Sequence, residues 1–330
     1  MKILSDILSA TIVFAVPLLL VALGGMFSER SGIVNIALEG IMVVGALFSC
    51  LALRSLDASG FGPAHPQLGM LIAILVAAFT GALFSLLLAF ASVHLKADQT
   101  IGGTALNMLA PALAITVTWA IQGQGQTTIL IPTWVRITQA NFGLEVQDTF
   151  LQNLVFKSFY LTTPLALLLL VVSAVVLYKT RFGLRLRSCG EHPQAADSVG
   201  INVYRMRYAG VLISGVLGGL GGIVYIIAGV SEWKFENGVA GFGFLALAVM
   251  IFGNWKPLNI LGASLFFALF KIIGSYSASI PFLPSFENVK SSEYIYLMLP
   301  YIVTMIVLIL TSKKSRAPKA EGIPYDKGQR

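Results

Sequence analysis

Long apolar runs decide what solvent this chain can fold in. Nine stretches of its 330 residues are apolar enough to be membrane spans, given that about 20 apolar residues cross the hydrocarbon of a bilayer. They cover approximately Ile7–Gly25, Ile36–Leu53, Leu68–Ala91, Ile101–Ile121, Phe159–Tyr178, Tyr208–Ala228, Phe242–Phe252, Leu258–Ile273 and Tyr294–Leu310. The seventh is short and follows glycines at Gly238 and Gly241. Eight to ten spans fit the pattern, with about nine as the best count. Composition agrees: 56% of residues are hydrophobic and 11% charged, with a mean hydropathy of +0.83. A soluble domain carries roughly 25% charged residues, so these charges are too few to cover a globular surface. The fold class expected is all-α, a polytopic transmembrane helical bundle. The first run follows a single Lys and lacks a small-residue cleavage site, so it reads as a span and not as a removed signal.

The net charge of +7 does not point to nucleic acid. Lys and Arg fall in short loops and the tail, where they encode topology. If the tail after Leu310 is cytoplasmic, alternation also places Arg30, Lys96, Lys256 and the loop Lys179–Arg207 there, and this side holds fifteen of the 22 Lys and Arg residues. The C-terminus is then cytoplasmic and the N-terminus outside, unless a re-entrant segment near Phe27–Asn35 changes the parity. The division expected is a membrane domain over residues 1–312, with its cytoplasmic loop at about 179–207, and a tail over 313–330. Cys50 and Cys189 fall in different layers and read as free thiols.

Polar features inside this frame are few. In the 179–207 loop, Pro193 suits a first helical turn and Gly200 a C-terminal cap. A short helix there, flanked by basic residues, is either a handle for a soluble partner or a plain topology anchor. Gly210, Ser214, Gly218 and Gly222 recur every four residues, a small-residue face that lets another helix approach closely. It serves packing within the chain or a subunit interface. Glu29, Arg30, Asn35 and Glu39 cluster between the first two spans. Ionisable groups at membrane depth are costly and usually functional; the plainer alternative pairs Glu29 with Arg30 and lets Glu39 cap a helix start. Gln99, Thr100 and Asn107 form a second polar group, and Pro111 predicts a break in the fourth span. Asn254 completes the candidates for a solute path. The polar stretch Gln122–Ser158 reads as a docking surface or a connector. No phosphate loop, zinc-protease motif or nucleophile elbow is present, so nothing supports an enzyme, a bound cofactor or a metal site.

Several blocks in order carry a family resemblance: ERSGIVNIALEG (Glu29–Gly40), ADQTIGGTALNMLA (Ala97–Ala110), FGLRLRSCGEHPQAADSVGINVYRMRYAGVLISG (Phe182–Gly215), GFGFLALAVMIFGNWKPLNILGA (Gly241–Ala263), and the end from Tyr296 to Tyr325. The chain resembles permease subunits of bacterial ABC importers for nucleosides, within the group that also moves ribose-like sugars and branched-chain amino acids. Lys256 departs from the small polar residue usual in its block. The resemblance implies a type II-like importer permease in the cytoplasmic (inner) membrane. Its implied partners are an ABC ATPase subunit, which uses the ATP, a longer sister permease in a heterodimer, and an extracytoplasmic solute-binding lipoprotein. It also implies that Glu191, His192, Pro193, Ala195, Ala196 and Gly200 build the ATPase contact. An ABC permease for sugars or amino acids is the runner-up. An ion-coupled secondary transporter is a different class, expected to show repeats with paired broken helices.

Overall fold

The computed structural model describes residues 2–135, 162–229, 232–234, 239–276, 298–311 and 317–328. Hydrocarbon offers backbone N–H and C=O groups no partner, so each span must satisfy its own, and helices result. Among the described residues, nine helices answer the nine apolar runs: α1 (Lys2–Arg30), α2 (Leu38–Ala58), α4 (Pro66–Val93), α5 (Gln99–Gln122), α6 (Thr162–Lys179), α9 (Val203–Gly229), α10 (Phe242–Phe252), α11 (Pro257–Ser275) and α12 (Leu299–Thr311). All but α10 and α12 have the length and hydropathy of a full crossing. Among the described residues there are also three short helices: α3 (Phe61–Ala64), α7 (Arg181–Glu191) and α8 (Pro193–Ser198). A small antiparallel ribbon pairs β1 (Thr128–Leu130) with β2 (Glu232–Lys234).

Helices α1 and α9 form the centre and are buried along most of their length. Glycine makes this possible. A Cβ on Gly219 of α9 would meet the Ala77 carbonyl and Gly81 of α4, and Gly45 of α2 packs against Gly219 from the other side. Three backbones therefore meet where no side chain fits. Around this centre, α4, α5 and α6 turn Phe79, Met108 and Leu168 outward. Such apolar exposure suits lipid or a second membrane subunit.

One face of the bundle gathers most of the basic turns. Arg30, Lys96, α7, α8, Trp255 and the tail over 317–328 meet there, tied by Ala320 N–H to the Gly190 carbonyl (2.8 Å) and by Lys96 Nζ to Asp326 (2.8 Å). The opposite face carries the ribbon and Trp134, whose indole N–H donates to Asp57 (2.7 Å). Helix α1 ends at the basic face and α2 at the other, so no re-entrant turn disturbs the alternation. The break expected at Pro111 is absent: α5 runs unbroken through it. Membrane helices tolerate proline because neighbouring groups re-satisfy the freed backbone. Of the polar stretch Gln122–Ser158, the part beyond residue 135 lies outside the described residues.

Candidate functional site

The bundle is interrupted in two places, and the interruptions meet. After Arg30 the chain unwinds, with Gly32 at φ +95°, and α2 begins only at Leu38. Unwound backbone inside a membrane needs side-chain partners, and this stretch has them. Ser28 Oγ donates to the Ile33 carbonyl (2.8 Å). The Val34 N–H donates to Gln99 Oε1 (2.7 Å). Asn107 works in both directions, donating to the Ile36 carbonyl and accepting from the Gly40 N–H, each at 2.8 Å. Asn35 is fully buried and donates to Ser214 Oγ (2.8 Å). Asn35, Gln99 and Asn107, nominated from the sequence as path residues, thus hold the broken segment in place. Thr100 is engaged through its backbone, its N–H donating to Asp98 and its carbonyl accepting from the Thr104 hydroxyl (2.8 Å), and its side chain is exposed.

The second interruption is α10. Eleven residues rise about 16 Å at 1.5 Å each, roughly half a bilayer core. Its C-terminal turn lies at the basic face, so its N-terminus lies at membrane depth, against the first turn of α2. A Cβ on Gly243 would strike the backbone of Glu39, so glycine is required for this approach. Glu39 then caps the exposed N-terminus: Oε1 accepts from the Gly241 N–H (2.9 Å) and Oε2 from the Gly243 N–H (2.6 Å). The carboxyl group serves a different helix from its own, which corrects the simple reading of a helix-start cap.

At the basic face the 179–207 loop is two helices. Helix α7 starts on Thr180, whose hydroxyl accepts from Gly183 N–H (3.2 Å). Helix α8 starts on Pro193 and ends with Gly200 at φ +83°, the Gly200 and Ile201 N–H groups closing on Asp197 and Ala196. His192, Ala195, Val199 and Gly200 are exposed, while Pro193 and Ala196 point inward. Ala196 packs with Cys189, Val203 and Tyr325, so it is part of the chain's own core and not of an outward face. Glu191 is half-buried, with Oε1 4.0 Å from Arg30.

Glu29 and Arg30 do not pair with each other. Glu29 takes the Trp255 indole N–H (2.5 Å), and Arg30 donates to the Trp255 carbonyl (3.1 Å). Asn254 and Trp255 both hold positive φ, +54° and +53°, in the turn that ends α10. Such angles are costly outside glycine and mark a constrained turn. On α9, Gly210 packs on Phe27 and Ser31, Gly218 on Ile41 and Gly222 on Met42, so this small-residue face meets α1 and α2 of the same chain. Both cysteines are free and buried. Among the described residues, no three His, Cys, Asp or Glu side chains are grouped to hold a metal.

A bundle of apolar helices with a half-helix abutting an unwound segment at membrane depth, and a helical pair on its basic face, defines a multi-pass membrane transport protein. The chain belongs to the family described as branched-chain amino acid transport system / permease component, which it matches over residues 7–310. It is 43% identical over 329 residues to the guanosine ABC transporter permease protein NupQ of Bacillus subtilis, covering 100% of this chain and 99% of that one. Identity to the nucleoside ABC transporter permease protein NupC of Lactococcus lactis is 42% over 326 residues, 99% of this chain and 98% of that one. A second Lactococcus protein, nucleoside ABC transporter permease protein NupB, is 24% identical over 325 residues, 95% of this chain and 84% of that one. No solved structure matches the chain. Interrupted helices are therefore not a mark of secondary transporters alone: such interruptions are present here, in a chain whose family is a permease component.

Proposed function

We propose that this chain is a transmembrane permease subunit of an ATP-binding cassette importer that moves nucleosides across the bacterial cytoplasmic membrane. The observation that carries the proposal is the full-length similarity to permease proteins named for guanosine and nucleosides. The chain is no enzyme and binds no cofactor; a separate ATPase subunit uses the ATP. That ATPase docks on the basic face, which is cytoplasmic together with the C-terminus. Exposure of His192, Ala195, Val199 and Gly200 on α8 supports docking there. A short, well-capped helix is a suitable lever, since it passes ATPase closure to the membrane helices as a rigid-body shift. An extracytoplasmic solute-binding lipoprotein delivers the nucleoside.

A heterodimer with a sister permease is favoured by the two Lactococcus proteins. Both are named as nucleoside permeases, yet one matches this chain at 42% and the other at 24% while extending further beyond it. A neutral solute is favoured by the electrostatics. The N-terminus of a half-helix is a ready anion site, but in α10 that position is occupied by Glu39. The spans add Lys271 near an outer end and no Arg at mid-depth. An anionic nucleotide therefore meets no fixed cation at mid-depth in these spans to offset its desolvation, whereas a nucleoside needs only hydrogen-bonding groups, of which Thr100 and Asn254 are candidates. The test is uptake of radiolabelled nucleoside, nucleotide, ribose and leucine in cells with and without the gene. Loss of nucleoside uptake alone is expected. Loss of leucine or ribose uptake, with nucleoside uptake intact, moves the assignment to an amino-acid or sugar permease.

A further inference from the structure

Residues 317–328 of the tail are bound across the basic face. Ala320 N–H donates to the Gly190 carbonyl at the end of α7 (2.8 Å), and Gly322 N–H to the Gly32 carbonyl in the unwound segment (3.3 Å). Asp326 pairs with Lys96 in the turn between α4 and α5 (2.8 Å). Tyr325 is inserted between these anchors. It is 4% exposed and packs with Cys189 of α7, Ala196 of α8 and Val203 of α9, its ring edge-on to Tyr204 at 5.5 Å. Its hydroxyl meets Asp197 of α8. Arg207 lies beside it, 1% exposed, with its guanidinium finding no hydrogen-bond partner among the described residues.

Helix α8 is six residues long. An isolated helix of that length is unstable in water, so its position must come from what it packs on. The inward residues of α8 are Pro193 and Ala196, and Ala196 shares its small cluster with the tail's Tyr325. Tyr325 is thus the wedge that fixes α8 against α7 and α9, while Asp326 and Gly322 tie the same segment to two other turns of the membrane domain.

We propose that Tyr325 is a positioning residue for ATPase coupling: the C-terminal segment is a strap that sets α8 relative to the membrane helices. The link to the ATPase rests on the importer reading above; the strap itself does not. Loss of the strap leaves α8 attached only through its flanking chain, and ATPase closure is then absorbed by a loose helix instead of being transmitted.

Cys189 reports on the strap independently of any partner. It is fully buried, and burial pushes its thiol up to about 11. Release of the strap returns it toward the ordinary value of about 8.5 and opens access, so modification by a maleimide accelerates at least about 10-fold. The experiment uses the whole transporter with Cys50 replaced by Ala, its thiol rates and ATPase retention read in inside-out vesicles and its uptake in intact cells, in four forms: unaltered, truncated after Arg316, Tyr325→Ala and Tyr325→Phe. Truncation and Tyr325→Ala are expected to speed Cys189 modification about 10-fold or more and to lower uptake per bound ATPase. Tyr325→Phe keeps the ring and is expected to stay near the unaltered rate in both readouts. Unchanged Cys189 modification in the truncated and Ala forms overturns the strap. Faster modification with normal uptake per bound ATPase overturns the positioning role. If the unaltered vesicles retain no ATPase, the importer reading fails, and the coupling role fails with it, while the thiol rates still decide the strap.

Discussion

Removing Glu39 tests whether a buried helix end at membrane depth depends on one side chain. Its two oxygens accept from the Gly241 and Gly243 N–H groups at 2.9 and 2.6 Å. Glu39→Ala strips the acceptor from both. A buried N–H without a partner costs about 1–3 kcal/mol, so the pair costs about 2–6 kcal/mol by the same rule. Glu39→Gln keeps one carbonyl oxygen and turns an amide donor toward the other N–H, so about half of that cost remains. The order of stability is therefore wild type, then Gln, then Ala. At an unfolding entropy of roughly 2.1 cal/mol/K per residue, each kcal/mol moves the thermal midpoint of a chain this long by about 1.4 °C, so Glu39→Ala loses at least about 3 °C on the same scale. Heat inactivation of the purified transporter in lipid nanodiscs measures it, with uptake followed in parallel. A midpoint for Glu39→Ala equal to wild type refutes the reasoning, because the end of α10 then finds its acceptors elsewhere.

Three further outcomes follow from the basic face. Ser198 is exposed at the end of α8; Ser198→Cys, in a chain lacking Cys50 and Cys189, should react with a membrane-impermeant thiol reagent in inside-out vesicles only, and reaction in intact cells would reverse the orientation. Ala195→Trp should insert normally yet lose the ATPase, whereas Ala196→Trp overfills the cluster with Tyr325 at about 1–3 kcal/mol and should lower yield; full ATPase retention by Ala195→Trp dismisses α8 as the docking point. Glu321 faces Glu29 and Arg30, and burial holds its carboxyl above the ordinary range. A raised carboxyl weakens the bound strap as pH climbs through that raised value and strengthens it below, so Glu321→Gln should slow Cys189 modification at pH 8, and an equal or faster rate contradicts this.

Much of the architecture was legible because hydropathy is a local signal. The nine runs became nine helices, and Pro193 and Gly200 bounded α8 as their φ preferences require. Helix α7 was missed, although Thr180 followed by the amphipathic RFGLRLRSCGE carries an N-cap and a helical period. What could not be read were pairings across long separations. Glu39 meets Gly241 and Gly243 some 200 residues on, and nothing local to ALEG says that its carboxyl group caps another helix. Asn35, Gln99 and Asn107 stand out in the sequence as polar groups, but sequence does not say whether the partner of such a group is a solute, a neighbouring helix or an unwound backbone. The strap was hidden for the opposite reason. AEGIPYD is short and polar in the manner of a loose tail, and its order comes from Tyr325 entering a cluster built by three other elements.

Helix α10 is held at both ends, and this makes its lower attachment as telling as its upper one. Above, Glu39 joins it to the unwound segment and α2. Below, Trp255 joins it to Glu29 by its indole (2.5 Å) and to Arg30 by its carbonyl (3.1 Å), and Arg30 lies 4.0 Å from Glu191 at the end of α7. A displacement of the α7–α8 pair therefore has a route to the half-helix through side chains already in contact. Spatial contact alone does not establish coupling, so the lower joint must be cut without cutting docking. Trp255→Phe does this. It keeps an aromatic ring in the turn but removes the donor, leaving the Glu29 carboxyl short of a partner at about 1–3 kcal/mol. The α8 surface proposed to bind the ATPase is untouched. The expected result is normal ATPase retention with reduced uptake for each ATP hydrolysed. Unchanged uptake per ATP in Trp255→Phe would show that the movement reaches α10 by another route, through the packed faces of α1 and α11.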